Sequence, residues 1–375
     1  MARAVLERKL MLARDGEVQF AVAAESDDAE IRRLLLENPI QGRISVALER
    51  EPNYFADAQL SGETKQTIIA RENGKIVCVG NCAVRERFVN GTVRRVGYLG
   101  GLRLDAQRAG RFDIVRRGYN FFRELQACAP GDFYFTSVAA DNERARRILE
   151  RGLPGMPRYE FICEFVTVLL STTHGSIVNR DSGLGPRALN EIVEHVNSHN
   201  QKYQFAPKWH GEDPVMLGGF GLRHCNFHFI GKRDESFGCA AIWDQRAFKQ
   251  TVIRGYDRML DLLRPAHNLF TRLSGRPKLP PSGAILANAY VSHLAADDPA
   301  MLLQLIANLR CVAGQSELEL LTMGFAADDP RLAAITANFP HYQYRTRLYT
   351  VHWPGLGHAA DELDGRALAP EVALL

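Results

Sequence analysis

The sequence predicts a mixed α/β fold built twice, and three observations carry that expectation. Strand-like and helix-like segments alternate, their order in the first half recurs in the second, and the chain has 375 residues. At roughly 100–200 residues per domain, that length suits two domains. Hydrophobic residues make up 46% and charged residues 24%, ordinary values for a globular protein with a sizeable core.

The first half reads as follows. "VQFAVAA" (18–24) and "QTIIARENGKIVCVGNCAVRERF" (66–88) are rich in β-branched residues, with "ENGK" as a hairpin turn. Between them, "DDAEIRRLLLENP" opens on Asp, spaces its apolar residues by three and four, and stops before Pro39, which predicts a helix. "LRLDAQRAGRFDIVRRGYNFF" (102–122) passes from strand through a short loop into a helix. "FYFTSVAADNERARRILERG" (133–152) predicts a strand, a cap at Asp141-Asn142, a short helix and a stop at Gly152. "YEFICEFVTVLL" (159–170) closes the unit as a strand.

The same order recurs. "FHFIGKRDESFGCAAIWDQRAF" (227–248) answers the hairpin, and "AILANAYVSHLAADDPAMLLQLIANL" (284–309) answers the strand, loop and helix. "LELLTMGFAADDPRLAAITANF" (318–339) and "YQYRTRLYTVHW" (342–353) answer the rest. Repetition at so long a period indicates a duplicated domain, not a solenoid. The expected domains are 1–175 and 176–375, joined by the polar "STTHGSIVNRDSGLGPR" (171–187). An exposed insertion is expected near 257–283, where "RPAHNLFTRLSGRPKLPPSG" has no counterpart in the first half.

A formal net charge of +3 is too small to name nucleic acid or an acidic membrane as the main partner. Seven cysteines without a CxxC pair predict reduced thiols in a cytoplasmic setting. The opening residues lack a signal-peptide apolar run, and no stretch is apolar for long enough to predict a transmembrane helix.

Charge is concentrated instead. Five arginines fall between Arg103 and Arg117, around one strand-to-helix turn. Unpaired amides at a helix start, aided by the helix dipole, favour an anion such as phosphate. Gly110 permits close approach, and Arg108 and Arg111 add charge-assisted hydrogen bonds. The arrangement resembles the acyl-CoA N-acyltransferases of the GNAT superfamily, whose phosphate loop reads Q/R-x-x-G-x-G/A. Gln107-Arg108-Ala109-Gly110-Arg111-Phe112 matches its first and fourth positions and departs at the sixth; a register beginning at Ala109 fits the preceding strand better and the glycines worse. "ADNERARRILERG" is similar to the family's helix after the fifth strand, with Asn142 near its start.

This resemblance implies tandem GNAT-like domains, each with a mostly antiparallel sheet and one parallel strand pair that opens into a V. Acetyl-CoA or another acyl-CoA would lie there as co-substrate, with no metal. Its pantetheine would run along Leu102 and Leu104, and its pyrophosphate would rest on residues 107–112. A small-molecule or peptide amine would attack the thioester directly. The family's thiolate-protonating Tyr is replaced by Leu149, and no Glu lies on the strand 98–104. The catalytic residues therefore stay unassigned; Tyr98, Tyr119 and Tyr159 are candidates that read equally as packed core, and water could relay the proton.

At the matching place the second half reads "AADDPAM", where Asp297 and Asp298 would repel a pyrophosphate. It is expected to shape the acceptor pocket or to serve as a bracing lobe. His195 with His199, and His224, Cys225 and His228, lack a further ligand pattern and read as structural, as do Cys78 and Cys82. The expected function is N-acyl transfer by a monomer or homodimer. The alternatives are a non-catalytic CoA-binding or regulatory protein, and a tandem peptidyl transferase using aminoacyl-tRNA, which the polyphosphate-suited loop disfavours.

Overall fold

A computed structural model describes residues 17–175, 189–231 and 237–375. The first half runs β1 (Gln19–Val22), α1 (Asp28–Glu37), β2 (Ile44–Glu49), β3 (Thr64–Glu72), β4 (Lys75–Val89), β5 (Thr92–Leu104), α2 (Phe112–Gln126), β6 (Phe133–Ala139), α3 (Glu143–Leu149) and β7 (Arg158–Ser171). The second runs α4 (Leu189–Asn200), α5 (Asp213–Gly218), β8 (Phe227–Gly231), β9 (Phe237–Trp243), β10 (Gln250–Tyr256) and α6 (Arg258–Ser274). It continues through β11 (Asn288–Ala295), α7 (Pro299–Gln315), β12 (Leu320–Ala326), α8 (Pro330–Asn338) and β13 (His341–His352). Most of the predicted linker, residues 232–236 of the predicted hairpin and most of the opening segment lie outside the described residues.

Local chemistry sets the element ends. Asn73 and Gly74, with φ of 51° and 78°, turn β3 into β4 as a left-handed pair that matches the strand twist. Asn142, Asp257, Asp298 and Asp329 accept main-chain N–H bonds at the starts of α3, α6, α7 and α8. Pro299 and Pro330 then occupy first-turn positions, where a missing N–H costs nothing. The region read as an exposed insertion contains α6, which carries Pro265 within it and exposes Met259, Leu262, Leu263, Leu269 and Phe270.

Among the described residues, eleven strands form one sheet in the order β1-β3-β4-β5-β6-β13-β7-β12-β11-β9-β8. The order shows an exchange between halves. β13 lies between β6 and β7, with Thr350 opposite Phe135 and Arg347 opposite Glu164. β7 in turn pairs with β12, from Leu320 opposite Ser171 to Ala326 opposite Phe165. Each half thus completes its sheet with the other's last strand.

α1 and α7 cover the sheet by burying one apolar stripe each. Ile31, Leu34 and Leu35 of α1 pack with Ile69, Ile76 and Val79. Leu305, Ile306 and Leu309 of α7 are fully buried with Leu321 and Ile335. A second, two-stranded sheet joins β2 to β10, pairing Glu49 with Gln250. Its Val46 and Ile253 pack on Leu169 and Leu320, which seats the ribbon over the junction.

Candidate functional site

The parallel strands β5 and β6 pair only from Val96–Phe133 to Tyr98–Phe135. Just beyond, Thr136 Oγ1 donates to the Leu99 carbonyl at 2.7 Å, and the Tyr98 and Ser137 hydroxyls meet at 2.8 Å. These side-chain bonds close the apex where the ladder ends. On the β4 side, Val79 faces Arg103 and Asn81 faces Gly100, so Gly101 and Leu102 together oppose Gly80. Such a bulge turns a strand and removes an amide from its ladder. Gly101 has φ of +65°, and a Cβ there would stand 2.5 Å from Asn81 Nδ2. Backbone conformation and space both require glycine at that point.

Leu102, 40% exposed, and Leu104 follow the bulge. Gln107 to Phe112 then form a tight turn into α2. The Gln107 N–H donates to Asp105 Oδ1, and those of Arg108, Ala109, Arg111 and Phe112 donate to carbonyls within the loop. The Gly110 N–H makes no hydrogen bond among the described residues. Gly110 has φ of +100°, with nothing within 4 Å of where a Cβ would point. Arg108 reaches the carboxylate of Glu72 at 2.5 Å and Arg111 reaches it at 3.2 Å. The Arg108 hydrogen bond, ahead of Arg111's, holds the Glu72 carboxyl below its usual range. Asn142, expected at the cofactor, accepts from the Ala145 N–H and starts α3. Phe112 joins Glu143, Arg144, Arg147, Ile148 and Arg151 around a cavity of about 390 Å³.

The three tyrosines part company. Tyr98 stands at the apex of the V, its phenol pushed up by burial. Tyr119 and Tyr159 hydrogen-bond to each other, beside Trp353 in the core. Burial pushes Tyr119 up to about 12 and Tyr159 well above its ordinary value. Leu149 ends α3. Sequence reading missed Ser137, whose signal was a Thr136-Ser137 pair in a strand otherwise made of aromatic and small apolar residues.

The second half repeats the device. β11 and β12 pair in parallel from Asn288–Leu320 to Tyr290–Thr322, and β11 then shifts register against β9 between Ser292 and Ala295. This time the corner is filled. Gly324 on β12 meets Val372, where a Cβ would approach the side chain to 2.3 Å. Ala373 lies buried among Trp209, Trp243 and Tyr290. Ser292 hydrogen-bonds the partly buried Glu371 and also His293 Nδ1, the latter at 2.7 Å. Asp297, expected to repel a phosphate, pairs with His199 at 2.9 Å and Lys202 at 2.7 Å.

Two halves that each contain a bulged strand parting from its parallel neighbour, joined by exchanged last strands, define the architecture. This is a tandem GNAT fold. Saccharomyces cerevisiae N-myristoyltransferase with bound myristoyl-CoA superposes with a TM-score of 0.58 at 11% identity, covering 91% of this chain and 84% of that one. A second structure of that enzyme, with myristoyl-CoA and inhibitors, gives 0.55 at 10%, covering 95% and 86%. A GCN5-related N-acetyltransferase from Anabaena variabilis gives 0.45 at 10%, covering 89% and 72%. No family model and no curated protein matches the sequence.

The GNAT fold here brings residues remote in sequence to one side of the bulge. Asn81 Nδ2 donates to Tyr54 Oη at 3.4 Å, and Lys65 Nζ lies 5.5 Å from the Tyr54 ring centroid. Lys65 bonds Asp57 at 2.5 Å, with Arg50 Nε 3.7 Å from the same carboxylate. Lys249, just before β10, donates to the main-chain oxygen of Leu375 at 2.7 Å and lies 5.0 Å from the Tyr290 ring centroid. Burial pulls Lys249 down to about 7, with Arg50 adding to the effect. Arg103, just past the bulge, is likewise lowered by burial and stands within electrostatic reach of Tyr344, Tyr98, Arg50 and Tyr54.

Of the remaining sequence candidates, His224 and Cys225 are exposed and His228 is half-buried, while the others are packed. His199 is pulled down to about 4 by burial, and His195 stacks on Phe237 at 3.9 Å. Cys78 and Cys82 are buried, and burial pushes the Cys78 thiol up to about 12.

Proposed function

We propose that the chain is an acyl-CoA-dependent N-acyltransferase whose first half holds the thioester and whose ribbon face receives the amine. The observation that carries this reading is the parting of β5 from β6 beyond Tyr98, with the Gly101 bulge on the open edge. A separated parallel pair offers main-chain donors and acceptors to an extended ligand. The pantetheine amides would take the place of a neighbouring strand along Leu102 and Leu104. The pyrophosphate would meet residues 107–112, where Glu72 holds Arg108 and Arg111 in place. The cavity bearing Arg144, Arg147 and Arg151 suits the nucleotide's remaining phosphate.

In the reaction the amine nitrogen bonds to the thioester carbon while the carbon–sulfur bond breaks. Main-chain N–H groups at the bulge would polarise the carbonyl oxygen. Ser137, with Tyr98 behind it, would protonate the departing thiolate; the raised phenol of Tyr98 stays protonated at neutral pH. Arg50, Lys249 and Arg103 disfavour a positive ammonium nearby, so the acceptor loses its proton more readily. This gives the site a way to work without a carboxylate base on β5.

Acetyl-CoA is the first donor to test, with myristoyl-CoA as the long-chain comparison. Calorimetry measures binding of each, and release of free CoA thiol across a panel of amines measures transfer. Binding with no CoA release for any amine would instead favour the non-catalytic CoA-binding reading.

A further inference from the structure

Arg50, Lys65 and Lys249 converge on the single carboxylate of Asp57. Lys65 already contacts that carboxylate closely, and Lys249 is spent on the main-chain oxygen of Leu375. Arg50 is the incompletely satisfied member. Its side chain is 16% exposed, its nearest approach to Asp57 is a long 3.7 Å, and its Nη1 is buried with no hydrogen-bond partner among the described residues. A buried guanidinium N–H without a partner costs free energy that a ligand oxygen would recover.

The position of Arg50 makes that oxygen meaningful. It follows β2 directly, opposite the start of β10, where Gln250 holds Glu51 through bonds of 2.9 Å to its N–H and its carbonyl. The guanidinium is therefore carried on a braced ribbon. Arg50 lies within electrostatic reach of Tyr98, where β5 parts from β6, and of Tyr290 at the corresponding corner of the second half. Neighbouring Glu49 is taken by Arg254, and Glu51 by Arg32 at 2.7 Å. The corner thus keeps an excess of cations beside the place where the acceptor must stand.

We propose that the acceptor is an amine that also carries a carboxylate, which Arg50 receives beside the Gly101 bulge. This rests on the N-acyltransferase reading and deepens it. The acyl group passes from sulfur to nitrogen, the thiolate takes up a proton, and the products are an N-acyl amino acid or peptide and free CoA. The carboxylate is unchanged by the reaction. Planar guanidinium and planar carboxylate match as paired hydrogen-bonding groups, which a lone lysine does not reproduce.

The test compares acceptors matched in size: glycine against glycinamide, and glycyl-aspartate against glycyl-asparagine, read by CoA release. At least one charged member should be favoured by about ten- to hundred-fold in kcat/KM. That preference should shrink to about two-fold in Arg50→Gln and be partly kept in Arg50→Lys. Equal or better use of both neutral members by the wild type would overturn the proposal. A second measurement does not depend on turnover: calorimetric binding of N-acetylglycine and N-acetylglycinamide to wild type and Arg50→Gln, with thermal melting to verify folding. Selective binding of the charged compound that vanishes in a folded Arg50→Gln supports the site, even if no amine is acylated and the transferase reading fails. Indifference of the wild type to the charge sinks the carboxylate site while leaving acyl transfer standing.

Discussion

Gly101 and His293 hold the same place in the two halves: each lies three residues past the last parallel pair, with φ of +65° and +54° respectively. One bulge carries no side chain and lies where β5 has parted from β6. The other carries a buried imidazole, stacked 3.9 Å from Trp209, in the corner that residues 371–373 fill. A duplicated backbone device has thus come to serve two ends.

Replacing Gly101 by Ala places a Cβ against Asn81 in a left-handed conformation. The expected cost is about 1–3 kcal/mol, and acyl transfer should fall at least about ten-fold as the bulge relaxes. Urea unfolding and CoA release measure the two effects. A fully stable, fully active variant would show that the bulge geometry is dispensable.

Gly110 differs because its surroundings are open. Gly110→Ala should lose only about 1 kcal/mol of stability through backbone strain, while weakening calorimetric CoA binding by about ten-fold. Unchanged affinity would remove residues 107–112 from the phosphate site.

Tyrosine replacements separate chemistry from packing. Tyr98→Phe should lower kcat by about a hundred-fold with little change in KM for acyl-CoA. Tyr119→Phe breaks the phenol pair with Tyr159 and should cost about 1 kcal/mol of stability at nearly unchanged kcat. The reverse outcome would move the proton donor into the Tyr119–Tyr159 pair.

The pair Glu371 and His293 has a readable pH dependence. Burial pushes Glu371 up to about 7 from an ordinary 4.5, so its contribution declines as pH rises between those values. Burial pulls His293 down to about 3 from 6.5, so its contribution grows with pH across that lower window. The two oppose each other between 4.5 and 6.5, so their joint contribution is nearly flat there, while His199, pulled down to about 4, adds a rise with pH of its own. In Glu371→Gln the urea midpoint should climb more steeply with pH through that interval than in the wild type, because His293 is no longer opposed. A slope no steeper in the variant than in the wild type would contradict this balance.

The exchanged strands predict joint unfolding. Leu348 of β13 is fully buried with Phe133, Phe135 and Phe165 from the other half. Leu348→Ala should cost about 2–5 kcal/mol. Trp353, packed on first-half residues, should report the same transition as Trp209 and Trp243 in the second-half core. Two separated transitions would mean that the halves fold independently despite sharing a sheet.

Much of this was legible in the residues because the responsible forces act over a few positions. Asp298-Pro299 and Asp329-Pro330 satisfy the first amides of their own helices, and Asn73-Gly74 accepts the left-handed turn between β3 and β4. Asn90-Gly91 turns β4 into β5 in the same way, a signal that was present and unused. The alternation of strands and helices, its repetition, and the arginine-rich turn ahead of α2 could therefore be read directly. β2 and β10 could not, since each is short and finds its partner about half a chain away. Nor could α6, because Pro265 suggested a break where the helix continues.

Only the folded chain decided which corner residues 371–373 fill, which strand completes which half, and which cations surround Asp57. Those outcomes depend on burial and pairing between residues as distant as Arg50 and Lys249, for which local spacing carries no information. The sequence by itself determined the elements and their caps through short-range hydrogen bonding and apolar periodicity. Tertiary packing turned two similar halves into one sheet by exchanging their last strands.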